Sequence, residues 1–399
     1  MQHIPLIFHL SRPQHQPIPR VNSAAPYVNV DILTRKEDTT LYESFSTRFY
    51  NKFIVPFIVL SRIKDDIKFL SKQKAELGVK DSHLRPNDRI ADSMKIINAF
   101  FGTETPRPMG PLVELVGPIL PRTYDPLPEA LRQFLDGHQR VVYVAFGQHA
   151  LPTVADCTLM LTALLENKEA HILDGLVWAG PPTNFPELIA TSSGKTYNIT
   201  QMLKDNDGVS KDVFFVKWAP QQAVLHHPSV TLFLSHGGIG SIYEALFAGK
   251  RLVIFPFFAD QPSNAIKLER ANLGAHLSFQ ASSEEASQII RKVALDEKGE
   301  IQASVNRYKA MIQIHSRHGT LRGADLVEEV AFANIDGKLP HRYEAARQMS
   351  FIKANNLDLY VAITLLIFLP ILIVWKTIVA ILRKKEQTKA KKIETKKYL

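Results

Sequence analysis

Short apolar runs rich in β-branched and aromatic residues recur through the second half of the chain. They stand at 140–146 (RVVYVAF), 176–180 (LVWAG), 213–218 (VFFVKW), 231–235 (TLFLS), 251–257 (RLVIFPF) and 275–279 (AHLSF). Such runs suit strands covered on both faces. Between them the spacing predicts helices over 152–167, 240–249, 261–273, 283–297 and 300–317. Strands alternating with helices imply a parallel sheet with right-handed crossovers, the doubly wound α/β class, in which ligands bind outside the carboxyl ends of the strands.

The first hundred residues are less regular, with a Pro-rich start and then mixed helical patterns such as SRIKDDIKFLSKQKAEL. Residues 105–128 hold seven prolines in 24 positions and read as a linker, extended to 138. The organisation expected is a partial domain over 1–104, the linker over 105–138, a complete domain over 139–335 and a juxtamembrane segment over 336–358. A span over 359–382 and a basic tail over 383–399 follow.

The run LYVAITLLIFLPILIVWKTIVAIL, residues 359–382, has 24 positions and one charge. That exceeds the roughly 20 residues needed to cross about 30 Å of hydrocarbon. Pro370 is tolerable in a bilayer helix, Tyr360 and Trp375 sit where interfacial aromatics belong, and Lys376 can snorkel. The tail carries eight Lys/Arg against two Glu, so it accounts for +6 of the formal +9 and leaves +3 on 40 basic and 37 acidic residues. Basicity confined to a tail argues against nucleic acid as a partner. It places the tail in the cytosol and the body across the membrane. Lys396 and Lys397, in the terminal KKYL, match a dilysine retrieval signal of the endoplasmic reticulum, and Asn198 in NIT is a glycosylation acceptor pattern. The opening MQHIPLIFHLSRPQHQPIPR does not have the form of a secretory signal. One cysteine, Cys157, excludes an intramolecular disulfide and a multi-cysteine metal site, and its surroundings read as core.

Candidate chemistry is concentrated in residues 218–261, WAPQQAVLHHPSVTLFLSHGGIGSIYEALFAGKRLVIFPFFADQ. Trp218 closes one strand; taken alone it reads as core, but its indole is also a face for a planar base. Gln221 carries an amide able to bridge hydroxyls. Gly237, Gly238 and Gly240 permit a tight turn before a helix expected to start near Ser241. The free N–H groups of that helix form an anion site with His236 beside it. Glu244 lies one turn on, suited to a ribose diol, and Asp260 and Gln261 follow the next strand, suited to sugar hydroxyls. A single Gly-rich βα turn is a common feature; three polar clusters after three consecutive strands are not.

This 44-residue window resembles the signature segment of the UDP-sugar-dependent glycosyltransferases, which include plant secondary-product enzymes and animal UDP-glucuronosyltransferases. The W-x-P-Q, L-x-x-H-P, H-G-G, E and D-Q elements fall at the family's spacing. Weaker resemblance covers about residues 25–399, including the span and basic tail of the membrane-anchored animal branch. It implies a glycosyltransferase B-type fold in which uracil stacks on Trp218 and Gln221 contacts the ribose. It further implies that His236, Gly238 and Ser241 hold the diphosphate, Glu244 the ribose hydroxyls, and Asp260 and Gln261 the sugar. No cofactor or metal is implied beyond the UDP-sugar co-substrate. Two departures stand out: Gly240 where the family usually has Asn, and Ala145 and Gln148 in place of a serine-bearing turn, with His149 beside them.

The family's catalytic His and its aspartate lie in an N-terminal domain that this chain enters late, so no catalytic base is assigned. His3, His9 and His15 stand in a proline-broken segment without a strand–Gly-His context. Loss of about 130–160 leading residues would explain both the missing base and the missing signal. The function expected is inverting transfer of a hexose, glucose-type or glucuronic acid, to a hydroxyl of a small lipophilic acceptor. The alternative is a UDP-sugar-binding membrane protein without turnover, acting alone or in a homo- or hetero-oligomer.

Overall fold

The computed structural model describes residues 6–9, 28–31, 36–39, 44–79, 92–104, 106, 109–180, 183–204, 210–343 and 345–397. His3, His15 and the last two residues of KKYL lie outside them. The chain divides into two units, Met1–Pro340 and His341–Leu399.

The first unit opens with β1 (Leu6–His9) and an antiparallel pair, β2 (Val28–Asp31) and β3 (Lys36–Thr39). A helical run follows: α1 (Phe45–Phe49), a π-helical turn (Tyr50–Ile54) and α2 (Val55–Glu76). Strands β4 (Met94–Ile97) and β5 (Val113–Leu115) then complete a parallel sheet of order β1-β4-β5. Residues 105–138 are therefore more than a linker. The proline-free stretch Leu112–Val116 reaches β5 and buries Leu112, Val113 and Val116, and α3 (Glu129–Asp136) buries Leu131, Phe134 and Leu135. Prolines flank both elements instead of interrupting them, which is where strands and helix starts accept them.

The large sheet contains β6 (Val141–Ala145), then β7 (Gly175–Ala179) after α4 (Val154–Glu169). The small hairpin β8 (Leu188–Ala190) and β9 (Thr196–Asn198) leads through α5 (Ile199–Lys204) to β10 (Val213–Val216). Next come α6 (Gln221–His226), β11 (Val230–Ser235), α7 (Ile239–Ala248), β12 (Arg251–Ile254), α8 (Gln261–Arg270) and β13 (Gly274–His276). Helices α9 (Ser283–Leu295) and α10 (Glu300–Ala333) close the unit. All six strands run parallel in the order β10-β7-β6-β11-β12-β13. Numbered within the sheet this is 3-2-1-4-5-6, the doubly wound order, and the reversal point lies between β6 and β11. Every residue of β6 and β7 is buried, as strands covered by helices on both faces must be. Tyr143 and Phe233 stack across the central pair with ring centroids 5.1 Å apart.

Helix α10 runs 34 residues, well past the 317 expected. Its second half buries Leu326 and Val330 with Met94, Ile96, Leu112 and Val116, so it serves the small sheet instead of the large one. Gly319 makes this approach close: a Cβ there would collide with the carbonyl oxygen of Val116.

In the second unit, Ser350 caps the short α11 (Phe351–Ala354), and α12 (Leu357–Lys397) follows with Pro370 inside it. Its segment Leu357–Lys385 contains an 18-residue window of mean hydropathy 2.6 with no residue buried, so by length and composition it can cross a membrane.

Candidate functional site

Ser235 ends β11 and is fully buried, with its hydroxyl accepting from the Gly237 N–H at 3.3 Å. Gly237 adopts φ 84°, open to glycine at no steric cost, and a Cβ on it would meet Ile254 Cγ2 at 2.6 Å. The chain then returns to ordinary geometry at Gly238, which is the N-cap of α7. The helix begins at Ile239, two residues before Ser241, and its first-turn N–H groups face out of the strand end. Gly240 is consequently a first-turn helical residue, exposed, with open space where a side chain would stand. It does not shape the turn.

His236 projects between the two central strand ends. A Cβ on Gly147, just past β6 and itself at φ 69°, would lie 3.2 Å from the His236 Cε1; one on Gly238 would collide with Nε2. The imidazole thus occupies the reversal point of the sheet, where two backbones stay bare to admit it. Burial lowers its pKa, an effect partly offset by the Asp260 carboxylate and by hydrogen bonding to the Ala145 backbone. The imidazole is therefore held in its neutral form at neutral pH, with the ring able to donate from one nitrogen. Ala145 is buried at the end of β6, while Gln148 and His149 are exposed in the loop beyond it.

The sheet order corrects one expectation. The three polar clusters follow consecutive strands in sequence, but β10 is an edge strand separated from β11 by β7 and β6. Gln221 reaches the site because α6 crosses back and packs on α7. There its amide nitrogen donates to Ser241 Oγ at 3.1 Å and to Glu244 Oε2. Gln222 approaches the other carboxylate oxygen, Oε1, at 3.5 Å. Trp218, two residues beyond β10, is 64% exposed, so its indole is not core.

On the other side, Asp260 precedes α8 and its Oδ2 accepts from Asn264 Nδ2 at 2.8 Å. The same nitrogen donates to the Gly237 carbonyl at 2.7 Å. Gln261 is 4% exposed, and its Oε1 accepts from the N–H groups of Phe257 and Phe258, at 2.7 and 3.1 Å. Only its amide nitrogen is then placed to serve a ligand. Gln221, Ser241 and Glu244 thus form one connected group, and Gly237, Asp260 and Asn264 a second, joined through the turn that carries His236 and Gly238. Asn264, Gln222 and Gly147 were not singled out by sequence. The signal for Asn264 was its place four residues after Asp260 on one helix face.

Residues 68–300 match the family model described as UDP-glucoronosyl and UDP-glucosyl transferase. This chain belongs to that family. A UDP-glycosyltransferase of Talaromyces amestolkiae is 32% identical over 323 residues, covering 77% of this chain and 60% of its own length. UDP-glucuronosyltransferase 3A2 of Mus musculus is 27% identical over 213 residues, 51% of this chain and 35% of that protein. Among solved structures, the glycotransferase of kitacinnamycin aligns with a TM-score of 0.48 at 20% identity, covering 70% of this chain and 67% of that one. The chain spans about 60% of the length of the first curated relatives it matches. The matched 68–300 segment takes in every strand of the large sheet and every residue of the two hydrogen-bonded groups. Among the described residues no cluster of three His, Cys, Asp or Glu side chains could hold a metal ion.

Proposed function

We propose that this chain binds a UDP-sugar at the β6–β11 reversal point. Together with the additional length its relatives have, it transfers the sugar to a hydroxyl of a small lipophilic acceptor. The observation that carries the reading is His236 set between Gly147 and Gly238 beside the open first turn of α7. A neutral imidazole donor and convergent helix N–H groups suit a diphosphate. Trp218 offers an exposed face for uracil. Gln221 and Glu244 present an amide and a carboxylate to the ribose diol, with Ser241 bonded to the same amide and facing the diphosphate. Asp260 and the Gln261 amide nitrogen face the sugar, a hexose of glucose or glucuronic acid type.

The apolar helix 357–385 supports a single-pass anchor, and the lysine-rich tail supports a luminal body and a cytosolic end in the endoplasmic reticulum. Turnover also requires a base for the acceptor hydroxyl, a role that this reading assigns to no particular residue.

The test is titration of the full chain in detergent micelles with UDP, followed by a transfer assay with UDP-glucose and UDP-glucuronate against a lipophilic phenol. Saturable UDP binding, weakened roughly tenfold or more by His236→Ala, is expected. Binding with product formation supports transferase activity, and binding without it supports the turnover-free alternative. Undetectable UDP binding overturns both.

A further inference from the structure

We propose that Asn264 is a positioning residue of the donor site, tying the glycine turn after β11 to Asp260 so that the diphosphate and sugar contacts are set as one unit. The inference rests on the UDP-sugar reading above. Asn264 is 2% exposed, and its Nδ2 donates to Gly237 O at 2.7 Å and to Asp260 Oδ2 at 2.8 Å. Two acceptors facing one group fix the orientation of the carboxamide, because only the NH2 end carries two donors. Gly237 is buried, and this bond supplies its carbonyl with a partner.

The effect on Asp260 is specific. The residue stands at the N-cap of α8, where an aspartate ordinarily turns back to accept from its own helix. Here no such side-chain cap forms, and the carboxylate is drawn to Asn264 instead. Asn264 engages Oδ2 and not Oδ1, so the carboxylate retains acceptor capacity for ligand hydroxyls. It also stays near enough to His236 to act on the imidazole through space. One buried amide therefore links the backbone that admits His236 to the acid that faces the sugar.

The experiment measures UDP and UDP-glucose binding by the full chain in detergent, for wild type, Asn264→Ala, Asn264→Asp, Asp260→Ala and the Asp260→Ala/Asn264→Ala double variant. Thermal unfolding is recorded for each. Asn264→Asp keeps the shape but sets a carboxylate against a carboxylate and a carbonyl. Its UDP-glucose affinity should fall roughly tenfold or more at about pH 7.5, and its UDP affinity only severalfold. The UDP-glucose deficit should shrink near pH 5.5 as the new carboxyl takes up a proton and regains one donor. The Asn264→Ala deficit should not shrink.

In the Asp260→Ala background, Asn264→Ala should cost less UDP-glucose affinity than it does in the wild type, leaving only the severalfold loss, shared with UDP, that comes from the Gly237 carbonyl. Additive losses in that cycle, equal losses for UDP and UDP-glucose, or wild-type UDP-glucose affinity in both single Asn264 variants each overturn the proposal. Wild-type chain that binds no UDP overturns the donor-site reading, and this inference with it.

Discussion

Gln221 on α6 donates from its amide to the carboxylate of Glu244 on α7, although the strand before α6 lies at the far edge of the sheet. Two groups assigned to one ribose are thus already held together by the protein. Glu244→Ala should weaken binding of uridine and of UDP by similar factors, roughly tenfold. His236→Ala should weaken UDP and leave uridine nearly unchanged. Isothermal titration of both ligands checks the division; a Glu244 variant with wild-type uridine affinity contradicts the ribose assignment.

Gly238 sits at φ −62° and ψ 136°, backbone angles that alanine adopts freely. A methyl group there nonetheless collides with Nε2 of His236, so Gly238→Ala should fold normally and displace the imidazole. UDP affinity should fall toward that of His236→Ala, with a small change in unfolding temperature. Unaltered UDP binding would place the ring outside the ligand contact.

Burial, the largest influence on His236, lowers its pKa below the usual value near 6.5. The unfolded chain therefore takes up this proton first as pH falls. The stability contributed by the neutral ring is present above pH ~6.5 and is lost as pH drops through the unfolded value toward the lower folded one. Wild type should lose more thermal stability between about pH 7.5 and pH 5.5 than His236→Gln does. Parallel pH profiles for the two proteins would refute the assignment.

Thr153 and Asp156 close a reciprocal capping box at the start of α4, just after the loop that follows β6. Asp156 N–H donates to Thr153 Oγ1 at 3.2 Å, and the Asp156 carboxylate accepts from Thr153 N–H and hydroxyl at 2.8 Å each. Thr153→Ala should cost about 1 kcal/mol of stability, read by chemical denaturation. Because the cap lies outside the hydrogen-bonded groups at the site, UDP affinity should change less than stability.

The large sheet is legible in the sequence for a physical reason. Strands covered on both faces need unbroken apolar runs, and β6, β7, β11 and β12 have them. Helix α10 is legible only in part. Its apolar positions face the large sheet first and the small one later, so no single period spans Glu300–Ala333. Within the site, His236, Glu244 and Asp260 announce themselves by following strands. Sheet order does not show in local pattern, and the return of α6 from an edge strand depends on it. Asn264 is an ordinary helical asparagine until its two acceptors are seen in space.

Asn198 ends β9 at an exposed position, and its Oδ1 accepts from the Gln201 N–H at 2.8 Å. A glycan attaches to the amide nitrogen, so this bond and the modification are compatible. If the body is luminal, endoglycosidase treatment should increase the gel mobility of the wild-type chain and leave Asn198→Gln unchanged. Wild-type mobility unaffected by the enzyme would count against the luminal placement.

The lone cysteine, Cys157, is 1% exposed, and burial pushes its thiol up to about 12. The folded chain is in effect silent to thiol reagents. A cysteine introduced at Gly240, where the first turn of α7 opens to solvent, would be the single reactive handle on the molecule, so a fluorophore attached there would watch the mouth of the site without background.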